Sequence, residues 1–457
     1  MEKAFRGLLA GTLMAVVVAG CGAAATGEAA WPPTAKKWFD RAETGYRTAD
    51  MEDAELAVEN ALRLLPQEEK VRVLAARIAL ARLEYDRAIQ LLEAIDSSEA
   101  ASIRGRAYWY DGQIEKAADE LERLIADPDV KDTWATEVAK LARRGTGRKP
   151  FTLSGGLLAV SEMPQVSATS LVVPLEVNGE PALGLIATGN AEALVDSSYD
   201  GDSTWLSLRF GERVEVKDVP ALAKDLSGIS RQLNAPIKIL IGVNLLRHLH
   251  PTFDFTGGQF VVRTFEPPPP PHATTIRLSY VRGGGMMLRG AFGSEQTAPF
   301  ATLMVDTSMS FPLALDDGGW KKAGVKLASL RDVPNLGNLR AGTLPLLRLG
   351  AFELPDVPGV YGAPVGDLEK GLDINLDGLV GSGLLAPFRV TLVDGGRTMW
   401  LEDLPQEAIP TGPPPDDAMP LPDDELTPPE GVDAPDDAPA PPAPKPAPKK
   451  PAPKKAP

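Results

Sequence analysis

Two triplets in the second half of the chain have residue types suited to acid–base work on water. Asp306-Thr307-Ser308 closes the apolar run Leu303-Met304-Val305, and Ala187-Thr188-Gly189 closes a strand running Leu183 to Ile186. Two carboxylates close enough to share a proton can act as a pair, one ionised to activate a water and the other protonated to donate to a carbonyl. Here one position carries a carboxylate and the other a methyl group, which can neither hold a proton nor orient a water. Asp306 alone has no acid partner, and it could equally serve as a loop carboxylate accepting backbone N–H bonds. Two further stretches invite a metal reading. His248-Leu249-His250 would project two rings to one side of a strand, but no third ligand is apparent, so they read as ordinary surface or loop histidines. Asp373-Ile374-Asn375-Leu376-Asp377-Gly378 opens like a calcium loop, yet its twelfth position is Leu384, so the completing bidentate carboxylate is missing. The expectation is therefore no metal and no cofactor.

The elements that would position these residues come from a chain of 457 residues, 44% hydrophobic, which suffices for several packed domains. A formal charge of −15 argues against nucleic acid as a partner, because phosphate contacts need clustered Lys and Arg. Cys21 is the single cysteine, which excludes an intramolecular disulfide and a Cys-based metal cluster. The 43 prolines point to a part of the chain that never packs.

From 150 to 404 the sequence reads as one β unit written twice. Val173, Leu175 and Val177 share a strand face, and Asn178-Gly179 is a type I′ hairpin signal. The second copy offers strands Met286 to Phe292 and Phe300 to Val305. Leu208-Arg209-Phe210-Gly211 leads to Asp218-Val219-Pro220 in the first copy, as Leu347-Arg348-Leu349-Gly350 leads to Asp356-Val357-Pro358 in the second. Ile241-Gly242-Val243-Asn244-Leu245-Leu246 answers Val380-Gly381-Ser382-Gly383-Leu384-Leu385, and each copy closes with strand, Gly-Gly turn and strand. A Pro-rich spacer, 266–274, separates them.

Each copy resembles one lobe of a retropepsin-like aspartic protease. That family's lobe carries an apolar run into Asp-Thr/Ser-Gly, then a flap hairpin, then a hydrophobic-hydrophobic-Gly motif. Leu303 to Ser308 fits the first motif with Ser308 in place of Gly, and Asp377-Gly378-Leu379-Val380-Gly381 fits the second. The resemblance implies an all-β, acid-protease lobe over 150–265 that is degenerate at Ala187, and a second over 275–404. It marks Asp306, Thr307 and Ser308 as candidate catalytic residues.

Residues 35–146 show small residues at a 34-residue spacing. Trp38, Ala42, Ala54, Ala61 and Pro66 occupy positions that Ala76, Ala88 and Ile95, then Gly105, Ala117 and Leu124, repeat in part. The segment resembles tetratricopeptide repeats, an all-α stack of three helix pairs with a last helix about Asp132 to Arg144. Such stacks bind a protein or peptide partner on one face.

Ahead of the stack, Lys3 and Arg6 precede an apolar run, Leu8 to Ala19, too short for a comfortable membrane span. The run ends in Val18-Ala19-Gly20-Cys21, which resembles the lipobox of bacterial lipoproteins. The resemblance implies a signal peptide over 1–20, lipidation at Cys21, a linker over 21–34, and a membrane anchor on the periplasmic face of the outer membrane. Several buried acyl chains hold a protein where one does so only marginally. The tail, 405–457, has 19 prolines and no aromatic residue, so it is expected to be disordered.

Taken together, the sequence reads as a multidomain, lipid-anchored envelope protein in which helical repeats and a degenerate protease cleft bind protein or peptide. Two alternatives stay open. Second lobes from two chains could pair through Asp306 as an active homodimeric endopeptidase, or the chain could be a purely structural envelope component.

Overall fold

The computed structural model describes residues 31–403 except 165, 167, 168, 201, 335 and 336. Cys21, the expected signal peptide and the expected disordered tail lie outside the described residues.

Among the described residues seven helices come first: α1 Pro33–Arg47, α2 Met51–Leu64, α3 Glu69–Ala81, α4 Tyr85–Leu92, α5 Ser98–Tyr110, α6 Ile114–Ile125 and α7 Thr133–Arg144. The first six pair as three hairpins closed by one repeated device. Ala49, Leu83 and Gly112 each take a left-handed backbone, with φ of 53°, 63° and 76°. The following N–H then returns to a carbonyl five residues back: Asp50 to Gly45, Glu84 to Ala79, Gln113 to Tyr108. Asp132 caps α7 by accepting the Ala135 N–H at 3.0 Å. The paired helices approach closely because Ala42, Ala54, Ala61, Ala76, Ala88 and Ala117 meet at their seams, all fully buried.

The β region holds two sheets of matching topology. The first runs in the order Val214–Lys224, Ala193–Asp196, Ile237–Ile241, Glu180–Ile186, Val172–Val177, Thr204–Phe210. Its last strand pairs back onto its first, which closes a barrel, and Thr152–Gly155 adds to the edge. The second runs Phe352–Tyr361, Leu313–Leu315, Gly378–Gly381, Phe300–Asp306, Gly285–Ala291, Arg340–Leu349, and closes the same way. In both, the strand entering the triplet lies parallel to the strand that leads into the supporting glycine, Gly242 or Gly381. Asn178 and Gly179 take φ of 52° and 87°, the pair of positive angles a type I′ turn demands.

A third sheet joins the units. Leu158–Glu162, Gln259–Arg263 and Thr252–Asp254 from the first meet Phe388–Val393, Thr398–Asp403 and Thr274–Arg277 from the second. Across its centre Phe253 lies opposite Val390, and the Thr252 and Thr391 hydroxyls are 2.9 Å apart. One continuous apolar core, from Phe210 and Phe260 to Trp320 and Leu347, runs through both barrels and this sheet. The helical stack packs on both units: Leu222 belongs to the core of the later helices, while Met287, Met304, Val360 and Leu379 belong to that of the first ones.

One expectation is corrected. His248 and His250 do not share a strand face, because the short helix Val243–Leu246 runs into a turn that holds them both. The His248 ring stacks on Phe151 at 4.5 Å, and His250 takes a positive φ of 38°. The alternation of that stretch reflects a helix end that buries Leu249 between two turn residues.

Candidate functional site

The two triplets meet. The strands Glu180–Ile186 and Phe300–Asp306 deliver them to one point, where the threonines interlock. Thr188 donates its hydroxyl to the Val305 carbonyl at 2.9 Å, and Thr307 donates its own to the Ile186 carbonyl at 2.9 Å. Each hydroxyl also accepts the other's backbone N–H, at 3.0 Å from Thr307 and 3.2 Å from Thr188. Four hydrogen bonds thus close a two-fold-like knot between side chains that are nearly inaccessible to solvent. At a net value of about 1 kcal/mol each, and more for a buried group left unpaired, they fix the spacing of the two loops.

Two glycines support the loops from below. A side chain on Gly381 would overlap the Met309 and Phe311 carbonyl oxygens, and one on Gly242 those of Ala191 and Glu192. The close approach lets Ser382 donate its N–H to the Met309 carbonyl at 2.8 Å, and Val243 its N–H to that of Asn190 at 3.0 Å.

At the knot's flanks the equivalence ends. Asp306 is half-buried and accepts both the Ser308 N–H at 3.0 Å and the Ser308 hydroxyl at 2.6 Å. A Cβ on Gly189 would lie 2.6 Å from its carboxyl carbon, so the carboxylate sits directly against the first unit's loop. Ala187 is fully buried, in an apolar cluster with Leu185, Leu226 and Leu240. The two positions that would carry a proton-sharing pair therefore present one carboxylate and one methyl.

Beside Asp306 opens a cavity of about 630 Å³ walled by Met309, Phe311, Leu339, Val360, Leu368 and Leu379. Leu339 of its wall belongs to a hairpin that only the second unit has among the described residues. Arg331–Asp332 pairs with the start of Arg340–Leu349, and the Val333 N–H donates to the Leu339 carbonyl at 2.9 Å. At the matching place the first unit has only the helix Ser197–Asp200 and a short link into Thr204–Phe210. An apolar cavity beside a carboxylate, with a hairpin in its wall, can take an extended peptide, whose backbone pairs with the hairpin while a side chain fills the cavity.

The residues of the calcium-like stretch go elsewhere. Asp373 ends the helix Val365–Leu372 and pairs with Arg77 at 3.3 Å. Asp377 accepts the Lys322 ammonium at 2.8 Å and the Thr302 N–H at 2.9 Å. No group of three or more His, Cys, Asp or Glu among the described residues could hold a metal ion.

A buried carboxylate escaped the sequence reading. Glu192, at 5% exposure, receives Trp134 Nε1 at 3.0 Å, Asn244 Nδ2 at 3.1 Å, the Tyr110 hydroxyl at 3.2 Å and Trp109 Nε1 at 3.4 Å. Three of the four donors come from the helical stack. Behind Asn244, Arg247 donates to Asn244 and Tyr85, and its guanidinium stands 5.3 Å from the Tyr280 ring centre. The signal was present in the duplication: counting from the triplets, Glu192 holds the place of Phe311.

No family model matches the chain, and no curated protein sequence matches it. Among solved structures it is similar to a retropepsin-like aspartic protease from Rickettsia conorii, over 28% of this chain and 91% of that one, at 23% identity and a TM-score of 0.23.

Proposed function

We propose that this chain is a peptide-binding pseudoprotease of the cell envelope, built from tetratricopeptide-like repeats and a retropepsin-like pair of lobes, and anchored through lipidated Cys21. The observation that carries the reading is the pairing of Ala187 with Asp306 across the threonine knot. The knot holds the geometry of a two-carboxylate site, while one of its two proton carriers is absent. The features that support recognition are the hairpin that contributes Leu339 and the cavity beside Asp306.

Pairing of two second lobes from separate chains would bring two Asp306 side chains together, but it would first have to break the Thr188–Thr307 knot and the sheet shared by the two units. The intramolecular arrangement supports binding over that endopeptidase. The test is to incubate the purified protein with an unfolded protein substrate from pH 3 to pH 7, and separately to measure its affinity for extended peptides bearing a bulky apolar residue. The expected outcome is saturable binding without cleavage, weakened by Leu339→Arg in the cavity wall. Cleavage that disappears in Asp306→Asn would overturn the pseudoenzyme reading, and absence of both binding and cleavage would leave the structural reading in its place.

A further inference from the structure

Asp254 and Asp377 are buried carboxylates of the β units, and each is matched by a cation: Arg389 at 2.7 Å for Asp254, Lys322 at 2.8 Å for Asp377. Asp306 is not. Its carboxylate is half-buried at the edge of an apolar cavity, yet it has no ion pair with any described residue. Both of its hydrogen bonds fall on one oxygen. Oδ1 accepts the Ser308 N–H and hydroxyl, and Oδ2 accepts nothing from the described residues.

The surroundings offer no substitute. Ala187, where a second carboxylate would share a proton with Asp306, is a methyl packed among Val172, Leu185 and Leu240. Among the described residues no Lys, Arg or His walls the cavity, and Met309, Phe311 and Leu379 make its sides apolar. The other acid in the lining, Asp367, is exposed and pairs with Lys370 at 3.8 Å. A half-buried charge without a partner costs stability, and low-dielectric walls strengthen its attraction for any cation that enters.

On the reading of the cleft as a peptide-binding site, we propose that it selects its ligand by an ammonium group. Asp306 Oδ2 accepts the ammonium N–H donors, and the adjoining bulky apolar side chain fills the cavity walled by Phe311 and Leu379. A wholly apolar ligand would shut Oδ2 away from water with no donor in exchange, which is penalised. An ammonium supplies that donor, and its charge-assisted bond to a carboxylate is about twice as strong as a neutral one. The ammonium can belong to a chain terminus or to a lysine side chain, and the experiment separates the two.

Calorimetric titration of the full-length protein would use three peptide amides: one opening on Phe with a free amino terminus, the same peptide acetylated, and an acetylated peptide in which Lys precedes Phe. At least one cationic probe is expected to bind roughly tenfold tighter than the acetylated Phe peptide, or more. A gain for the free terminus alone assigns the site to chain ends, and a gain for the Lys peptide alone assigns it to side chains. A gain for both shows that either ammonium serves. Asp306→Asn keeps an acceptor for Ser308 and removes the charge, and it is expected to erase the gain with unchanged circular dichroism. In the unaltered protein, phenethylammonium is expected to displace the tighter probe at concentrations where phenethyl alcohol, its uncharged counterpart, does not. Equal affinity of cationic and acetylated probes overturns the proposal while leaving the cleft as a peptide site; failure of all three probes to bind overturns both. A gain that survives in Asp306→Asn, or equal displacement by the amine and the alcohol, also overturns the proposal.

Discussion

The two β units share a strand order, a threonine knot and a supporting glycine, yet they have diverged at every place where chemistry would occur. The second keeps Asp306, the hairpin that contributes Leu339 and the cavity. The first has Ala187, no such hairpin among the described residues, and a buried acid, Glu192, that takes three of its donors from the stack. Where the second unit turns Phe311 toward its cavity, the first turns Glu192 into the stack. Both units carry the stack, through Leu222 in the first and Met304 and Val360 in the second, but only the first gives it a buried acid, and only the second keeps the carboxylate and the cavity. The division also explains how a barrel can lose a catalytic group and keep its shape, since none of the knot's hydrogen bonds involves the side chain at 187 or 306.

The contrast can be broken most directly by Ala187→Asp. If the knot holds the two positions in a catalytic register, this substitution is expected to create acid-pH peptide cleavage on the order of 10²-fold above the unaltered protein, as a restored proton donor can supply. A fluorogenic peptide assay from pH 3 to pH 6 reads it, with Ala187→Asp/Asp306→Asn as the inactive control. The next largest effect is expected at the buried acid. Glu192→Ala strands the Trp109, Trp134, Tyr110 and Asn244 donors and is expected to destabilise by about 2–4 kcal/mol, measured by urea unfolding followed through tryptophan fluorescence. Thr188→Val and Thr307→Val should each lower stability by about 1–3 kcal/mol. The double variant should fall short of the sum, because the two residues share their bonds. A result in which only one of the two matters would show that the knot is not symmetric. The smallest effect is expected where the stack touches the second unit at its surface. Arg277 pairs with Glu52 at 2.8 Å, but both side chains are well exposed, so Arg277→Ala should change stability by no more than about 0.5 kcal/mol.

Much of the β architecture was legible because it was written twice. A motif such as Leu-Arg-Phe-Gly to Asp-Val-Pro gains weight when the same order returns, and Asn178-Gly179 states its turn type locally. The helix seams were legible for a similar reason, since Ala42, Ala54 and Ala61 fall where a repeat needs small side chains. The mounting of the stack was not. Glu192 is separated from its indole and phenol donors by 58, 82 and 83 residues, and no local periodicity reports a contact of that span. The two histidines lie after the short helix Val243–Leu246 as loop residues, the reading that the lack of a third ligand favoured.

Glu192 also bears on how the protein is made. The indoles and phenol that receive it lie in helices that leave the ribosome before the barrel begins, so the stack can fold first and serve as a template on which the first unit closes. Expressed without that template, the barrel pair would emerge with an acid and a patch of Leu222 and Trp205 that have nothing to rest on. The stack and barrels are therefore expected to fold as one unit, and dissecting the chain at residue 150 is expected to yield insoluble lobes.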